Sequence, residues 1–374
     1  MTHLSDLYQI DQFIDTFALG HYARVLDAVD TRTGKPVAFK VMRAEHLTLD
    51  GDIRWEYRAF INEAELLLKL AETPHVIDLI DCGFLSAMSE APAGGEIVSF
   101  GRDVTAFAAQ MLDYAEQRWR PYLALPNLPR TENLFYLMKP NQPNMRRRLP
   151  TEEGLALAWQ FGQMLQFAHR KNIVYLDHKL EHVYWDGTKL QIIDLNSSRQ
   201  LEAGARSDNN YYRMDVHNLC VGILYPAFTG LSPQQGTLRP QPSSLSQVES
   251  RYQDITSLDF GVEPTLSLAL QDLLQRGAAQ QIESAADFLR ELQQVAAVNG
   301  WDFPDHYTSP ASRDARDQLR AGLRKMREGQ ESLREARDLF RDAAILEGIT
   351  PDLEEELRRL VKAATDMLNY RVIP

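Results

Sequence analysis

The sequence predicts an α+β fold, with a strand-rich first part followed by a longer helix-rich part. Three observations lead there. Apolar residues alternate over Tyr8–Met42; helical periodicity dominates from Trp55 and again beyond Thr151; and Ile173–Asn196 reads as a polar loop and two short strands joined by an Asp186-Gly187 turn. With 374 residues the chain has room for two or three domains. Its 44% apolar and 25% charged residues are ordinary for a globular protein with a sizeable core. A net charge of −12 argues against nucleic acid and anionic lipid as partners. With no apolar run long enough to span a bilayer and no basic, apolar leader at the start, no membrane contact is expected. Cys82 and Cys220 lie in apolar surroundings without metal-ligand spacing, so both read as reduced core residues of a cytoplasmic protein.

In chain order, Tyr8–Phe17, Ala23–Asp30 and Pro36–Met42 read as strands, with Thr33-Gly34-Lys35 as a turn. Trp55–Leu70 is a helix with Ile61, Leu66, Leu67 and Leu70 on its apolar face, and Glu63 and Glu65 are its candidate partners for a buried lysine. His75–Phe84 reads as a fourth strand. Leu85–Trp119 reads as an insertion holding a loop at Ala91–Gly95 and an amphipathic helix from Asp103 to Trp119. Pro121–Pro126 is the fifth strand, and Leu134–Met138 opens a helix. Thr151 is placed to cap the next helix, whose first turn holds Glu152 and Glu153 and whose apolar face is Leu157, Phe161, Met164, Leu165 and Ala168. A helix over Met214–Leu224 ends near Thr229-Gly230. After a Pro, Ser and Gln-rich loop at Leu231–Ser250 come helices at Leu266–Gln275 and Ala285–Val298, and the domain closes near Asn299-Gly300. Beyond it, Ala311–Glu347 and Asp352–Met367 read as a helical hairpin around Gly348–Pro351. Ala336, Phe340 and Ala343 fit part of a tetratricopeptide repeat, so these helices serve either as a structural appendage or as a docking tail for a protein partner.

The chemistry concentrates at Ile173–Asn196. Asp177 leads the loop, Lys179 follows, and Asp194 closes the hairpin, so the three converge only once the hairpin forms. Phosphoryl transfer needs such a set: one carboxylate to orient a hydroxyl, a cation near the phosphoryl group, and a second carboxylate for the metal on the phosphates.

Here the chain resembles the eukaryotic-type (Ser/Thr) protein kinase family. The catalytic loop H-R-D-x-K-x-x-N is met by Tyr175-Leu176-Asp177-His178-Lys179-Leu180-Glu181-His182, and D-F-G by Asp194-Leu195-Asn196. Val37-Ala38-Phe39-Lys40 matches V-A-I-K at three of four positions. Ala18-Leu19-Gly20-His21-Tyr22-Ala23-Arg24-Val25 stands for the glycine-rich loop with only its middle glycine, and Met214-Asp215-Val216 resembles the start of the family's buried D-V-x-S-L-G helix.

The resemblance implies a two-lobed protein-kinase-like fold, with a small β-rich lobe to about residue 126 and a large helical lobe to about residue 300. It implies ATP and Mg²⁺ or Mn²⁺ as cofactors. Lys40 would hold the α- and β-phosphates, paired with Glu63, while Gly20, Val25, Ala38, Asn127 and Leu128 would complete the nucleotide site, the last two through their backbone at the hinge. Asp177 and Lys179 would be catalytic, Asp194 and His182 would hold the metal, and Asp215 would brace the loop or simply cap its helix.

Departures from the family are equally informative. Leu176 replaces the arginine that receives an activation-loop phosphate, so phosphorylation of Ser197–Tyr212 is not expected to act as a switch. Twenty residues separate Asp194 from Asp215 and include no A-P-E, and Ala279–Ala285 lacks the arginine that would pair with its glutamate. Losing both together avoids a lone buried charge, which costs about 3–5 kcal/mol. His182 replaces a metal-ligating asparagine. Retained Lys40, Glu63, Asp177 and Asp194 imply a divergent, bacterial-like phosphotransferase; the altered loops imply instead a nucleotide-binding pseudokinase acting as scaffold or switch. A small-molecule kinase on the same core is the third reading.

Overall fold

The computed structural model describes residues 2–13, 22–47, 54–89, 92, 94–139, 146–202, 208–233, 251–298, 328–329, 331–345 and 351–369. The chain divides into two compact units, Met1–Trp301 and Asp302–Pro374. The fold is α+β. Gly20, part of the Ala91–Gly95 loop, the 234–250 stretch, Asn299-Gly300, residues 311–327 and Gly348–Thr350 lie outside the described residues.

The first unit begins with a seven-stranded antiparallel sheet of order β1-β6-β5-β7-β4-β3-β2. Its strands are β1 (Thr2–His3), β2 (Tyr8–Phe13), β3 (Ala23–Asp30), β4 (Lys35–Met42), β5 (Asp81–Leu85), β6 (Glu96–Ser99) and β7 (Arg120–Pro126). Gly34, at φ +67°, closes the β3–β4 hairpin by donating to the Asp30 carbonyl at 2.7 Å, a conformation that glycine adopts without steric cost. The two outer strands, β1 and β2, are joined by a single four-residue helix, α1 (Leu4–Leu7). Four helical residues advance only about 6 Å, so the sheet must curl until its edges lie close together. Inside the curl sits an apolar cluster that includes Leu4, Tyr8, Leu26, Phe39, Val41, Ile97 and Tyr122.

Register then decides what faces the other way. Leu26 pairs with Phe39, Val25 with Lys40, Phe39 with Ala124, and Lys40 with Leu123. Because side chains alternate along a strand, filling the curl with Phe39 and Leu26 turns Val25, Ala38 and Lys40 outward together. Against that face lies α2 (Trp55–Leu70), which buries Phe60, Ala64 and Leu67.

One buried carboxylate ties the curl together. Asp81 of β5 accepts from the Tyr8 and Tyr122 hydroxyls at 2.6 and 2.9 Å, from Ser99 Oγ at 2.7 Å and from the Gly101 N–H at 2.8 Å. Four donors satisfy both of its oxygens, as a buried carboxylate requires.

Several predicted boundaries are corrected. The fourth strand is Asp81–Leu85 rather than His75–Phe84, because the residues before it bond to a hairpin of the helical part: Ile77 N–H donates to Ile192 O at 3.0 Å and Ile192 N–H to His75 O at 2.8 Å. The Leu85–Trp119 stretch supplies β6, too short to show alternation, and its single expected helix is two short ones, α3 (Val104–Ala109) and α4 (Met111–Glu116), broken at Gln110.

In the helical part, α5 (Leu134–Met138) precedes the long α6 (Thr151–Arg170), whose predicted apolar face is buried. Pro150, not Thr151, stands at its N-cap, and Pro150 O accepts from the Gly154 N–H at 2.9 Å. Gly154 and Gly162 let Phe228 and Leu289 pack against the α6 backbone. Short strand β8 (Ile173–Val174) leads to the loop and then to the hairpin β9 (Val183–Trp185) and β10 (Leu190–Ile192). Its connection is four residues rather than two, since Trp185 pairs with Leu190; Asp186 Oδ1 holds it by accepting from Thr188 N–H, Thr188 Oγ1 and Lys189 N–H, each at 2.7 Å.

After β11 (Arg199–Gln200), which pairs with β8, α7 spans Asp208–Asn218 and so starts six residues before the predicted Met214. It runs on through a π-helical turn, Leu219–Leu224, and α8 (Tyr225–Thr229), and stops at Gly230, φ +71°. Helices Leu268–Ala278, capped by Ser267, and Ala285–Val298 complete this unit. In the second unit, residues 331–344 and Pro351–Asn369 are helical.

Candidate functional site

Lys40, Glu63 and Asp194 come from a strand, a helix and the end of a hairpin, and they meet. Lys40 Nζ is 2.7 Å from Glu63 Oε2 and 3.0 Å from Asp194 Oδ1, and the lysine is 6% exposed. Burial opposes the Lys40 charge, but Asp194 and Glu63 outweigh it and hold the ammonium well above its usual range. One cation between two carboxylates serves them unequally. Burial pushes the Glu63 carboxyl up, whereas at Asp194 the opposing effect of burial is overcome by Lys40 and His182, which hold its carboxyl below the usual range. Glu65, the rival on the same helix, pairs among the described residues with Lys69 at the surface, at 3.9 Å. Asn62 adds a second tie from α2, donating to Ser198 O at 3.0 Å.

Val25 and Ala38 are half-buried on the outward face that carries Lys40. Asn127, just past the end of β7, has its N–H 3.5 Å from Pro36 O, and its side chain donates to Asp27 Oδ1 at 2.6 Å. Leu128 is half-buried beside it.

Asp177 is 3% exposed. Its Oδ2 is 3.1 Å from Lys179 Nζ and 3.6 Å from His182 Nδ1, and its Oδ1 is 2.8 Å from Arg251 Nη1. The arginine contact is a close ion pair, off the line of a hydrogen bond. His182 lies between the two aspartates, with Nε2 3.4 Å from Asp194 Oδ2. Burial, then the Lys179 charge, pushes its pKa down, which keeps an imidazole lone pair open. Two ligands at right angles, each about 2.1 Å from one cation, lie ~3 Å apart, so Asp194 and His182 fit a shared divalent ion. Among the described residues no three His, Cys, Asp or Glu side chains form a group that could hold a metal ion.

The loop is braced from below. Asp215 accepts from the N–H groups of Tyr175 and Leu176 at 2.9 and 2.8 Å and lies 3.0 Å from His169 Nε2, while Asn218 Nδ2 donates to Leu176 O at 3.2 Å. Asp215 stands inside α7, so it is no N-cap. Tyr252 adds its hydroxyl to His178 O at 3.0 Å, and His217 Nε2 lies 2.9 Å from Tyr252 O.

Sequence reasoning missed Arg251, His169 and Asn218. His169 lies at the end of α6, six residues before Tyr175, and Asn218 one turn after Asp215, so periodicity could have found both; nothing local marks Arg251. No family model and no curated protein matches the chain. Among the described residues no helix is long and apolar enough to cross a membrane.

Proposed function

We propose that the first unit is a two-lobed, protein-kinase-like domain that transfers the γ-phosphoryl group of ATP to a hydroxyl, as a divergent Ser/Thr-type kinase. The observation that carries this reading is Lys40 between Glu63 and Asp194, a buried lysine brought to a carboxylate 154 residues away. Lys40 neutralises the α- and β-phosphates and Glu63 holds its ammonium in place. Val25 and Ala38 give the adenine an apolar face. Asp194 and His182 would hold a divalent ion, Mg²⁺ or Mn²⁺, which when bound offsets charge on the phosphates. Asp177 orients the acceptor hydroxyl and takes its proton, and Lys179 stabilises charge on the phosphoryl group in flight.

A second reading, nucleotide binding without transfer, is favoured by Arg251 against Asp177 Oδ1. Thermal shift with ATP and each metal tests the site: Lys40→Met and Asp194→Asn should each abolish the stabilisation and leave the apo fold intact. An unchanged shift in both variants would overturn the assignment. Radiolabel transfer from ATP in the wild type separates the two readings.

A further inference from the structure

We infer that Arg251 is a lock on the acceptor side of the site, closing Asp177 to an incoming hydroxyl until its guanidinium moves away. This rests on the reading of Asp177 as the carboxylate that orients the acceptor. Both oxygens of that carboxylate are covered: Lys179 and His182 face Oδ2, and Arg251 faces Oδ1 at 2.8 Å with its own side chain only 5% exposed. Lys179 lies within the loop, where the proposed reaction needs a cation. Arg251 does not. It reaches the site from a segment 74 residues further along the chain.

The placement of that segment is built in. Tyr252 is buried, its hydroxyl donates to the carbonyl of His178 next to Asp177, its own carbonyl faces His217 Nε2, and its ring packs on Gly222 where any side chain would collide. The neighbour of Arg251 is thus pinned to the catalytic loop and to the helix that braces it. A hydroxyl approaching Oδ1 meets a guanidinium already held there as a close ion pair, which blocks its way in the closed arrangement. Opening requires the Arg251 side chain to leave Asp177 while Tyr252 keeps the neighbouring backbone anchored. Only the open fraction is competent, and transfer is reduced by that fraction.

The test uses the full chain with ATP and Mn²⁺, comparing wild type with Arg251→Met for nucleotide-dependent thermal shift and for phosphoryl transfer to water and to the protein itself. The lock predicts an unchanged ATP shift and transfer raised roughly tenfold or more, the gain for a closed arrangement favoured by about ten to one. Adding Asp177→Asn to Arg251→Met should cancel the gain. Unchanged or reduced transfer in Arg251→Met overturns the lock, as does a gain that survives Asp177→Asn. If Arg251→Met fails to fold, Arg251→Lys, with its shorter reach and single ammonium, is read in its place with the same expected gain. ATP stabilisation in both proteins without a gain removes the lock alone. No ATP stabilisation in either removes the phosphotransfer reading, and the lock with it.

Discussion

Leu176 and Asp194 hold φ angles of 65° and 62°, where a side chain with a Cβ sits at a steric cost. At Leu176 that cost is offset by fixing both its peptide groups, since Asp215 takes the N–H and Asn218 donates to the carbonyl. His178 shares this tight loop. It is fully buried, stacked on Phe161 with ring centroids 5.4 Å apart, and burial pushes its pKa down to about 4 from 6.5, although Asp215 opposes the shift. Its folded pKa is below the unfolded one, so the unfolded chain binds more protons between those values and stability falls as pH falls from about 6.5 through about 4. The loss should reach about 3 kcal/mol. Urea unfolding across that range should show it, and His178→Phe should flatten the slope by a similar amount; an equal slope in both proteins would reassign the acid sensitivity elsewhere.

His182 permits a sharper test. An imidazole nitrogen beside Asp194 favours later first-row metals over Mg²⁺, so Mn²⁺ should support ATP binding better than Mg²⁺ in the wild type. His182→Asn, with a hard carbonyl oxygen, should shift the preference toward Mg²⁺. Titrating ATP with each metal into both proteins checks this, and identical preferences would mean that His182 is no ligand. Lys40, Glu63, Asp177 and Asp194 were legible in the sequence because each lies within a short motif whose spacing survives. Arg251 was not, because its place depends on a partner 74 residues away in the chain.

Among the elements, β6 and β5 show how a single polar residue organises a sheet. Asp81→Ala would strip the acceptor from the Tyr8 and Tyr122 hydroxyls inside an apolar cluster, at a cost of about 3–5 kcal/mol. Chemical denaturation should register that loss as a lower midpoint, and Asp81→Asn, which keeps one carbonyl oxygen, should lose less. The long helices were legible because α2 and α6 repeat their apolar residues over many turns. Short strands were not: Glu96–Ser99 carries too few residues to display a period, and His75–Leu79 alternates like a strand yet bonds to the β10 hairpin edge. The π-helical turn at Leu219–Leu224 left no sign in the sequence either.

Across the first unit, the sheet and the helical part are linked where Lys40 meets Asp194 and where Ile77 meets Ile192. A nucleotide bound at Lys40 and Asp194 would tighten both sides at once. Hydrogen exchange with ATP and Mn²⁺ should therefore slow in β3 and β4 and in residues 190–196 together; slowing confined to one side would place the nucleotide elsewhere.

The curled sheet also sets an order of assembly. Thr2 pairs with Ile97 and His3 with Glu96, so this strand has no partner to join until residues 96 and 97 have been made. Leu4 waits with that strand, since its place is among side chains from β6 and β7. Joining ends so far apart carries the entropy of a long loop, and that places closure late in folding. Until that pairing forms, the apolar interior stands open along one seam, and the two-residue strand Thr2–His3 is what finally seals it.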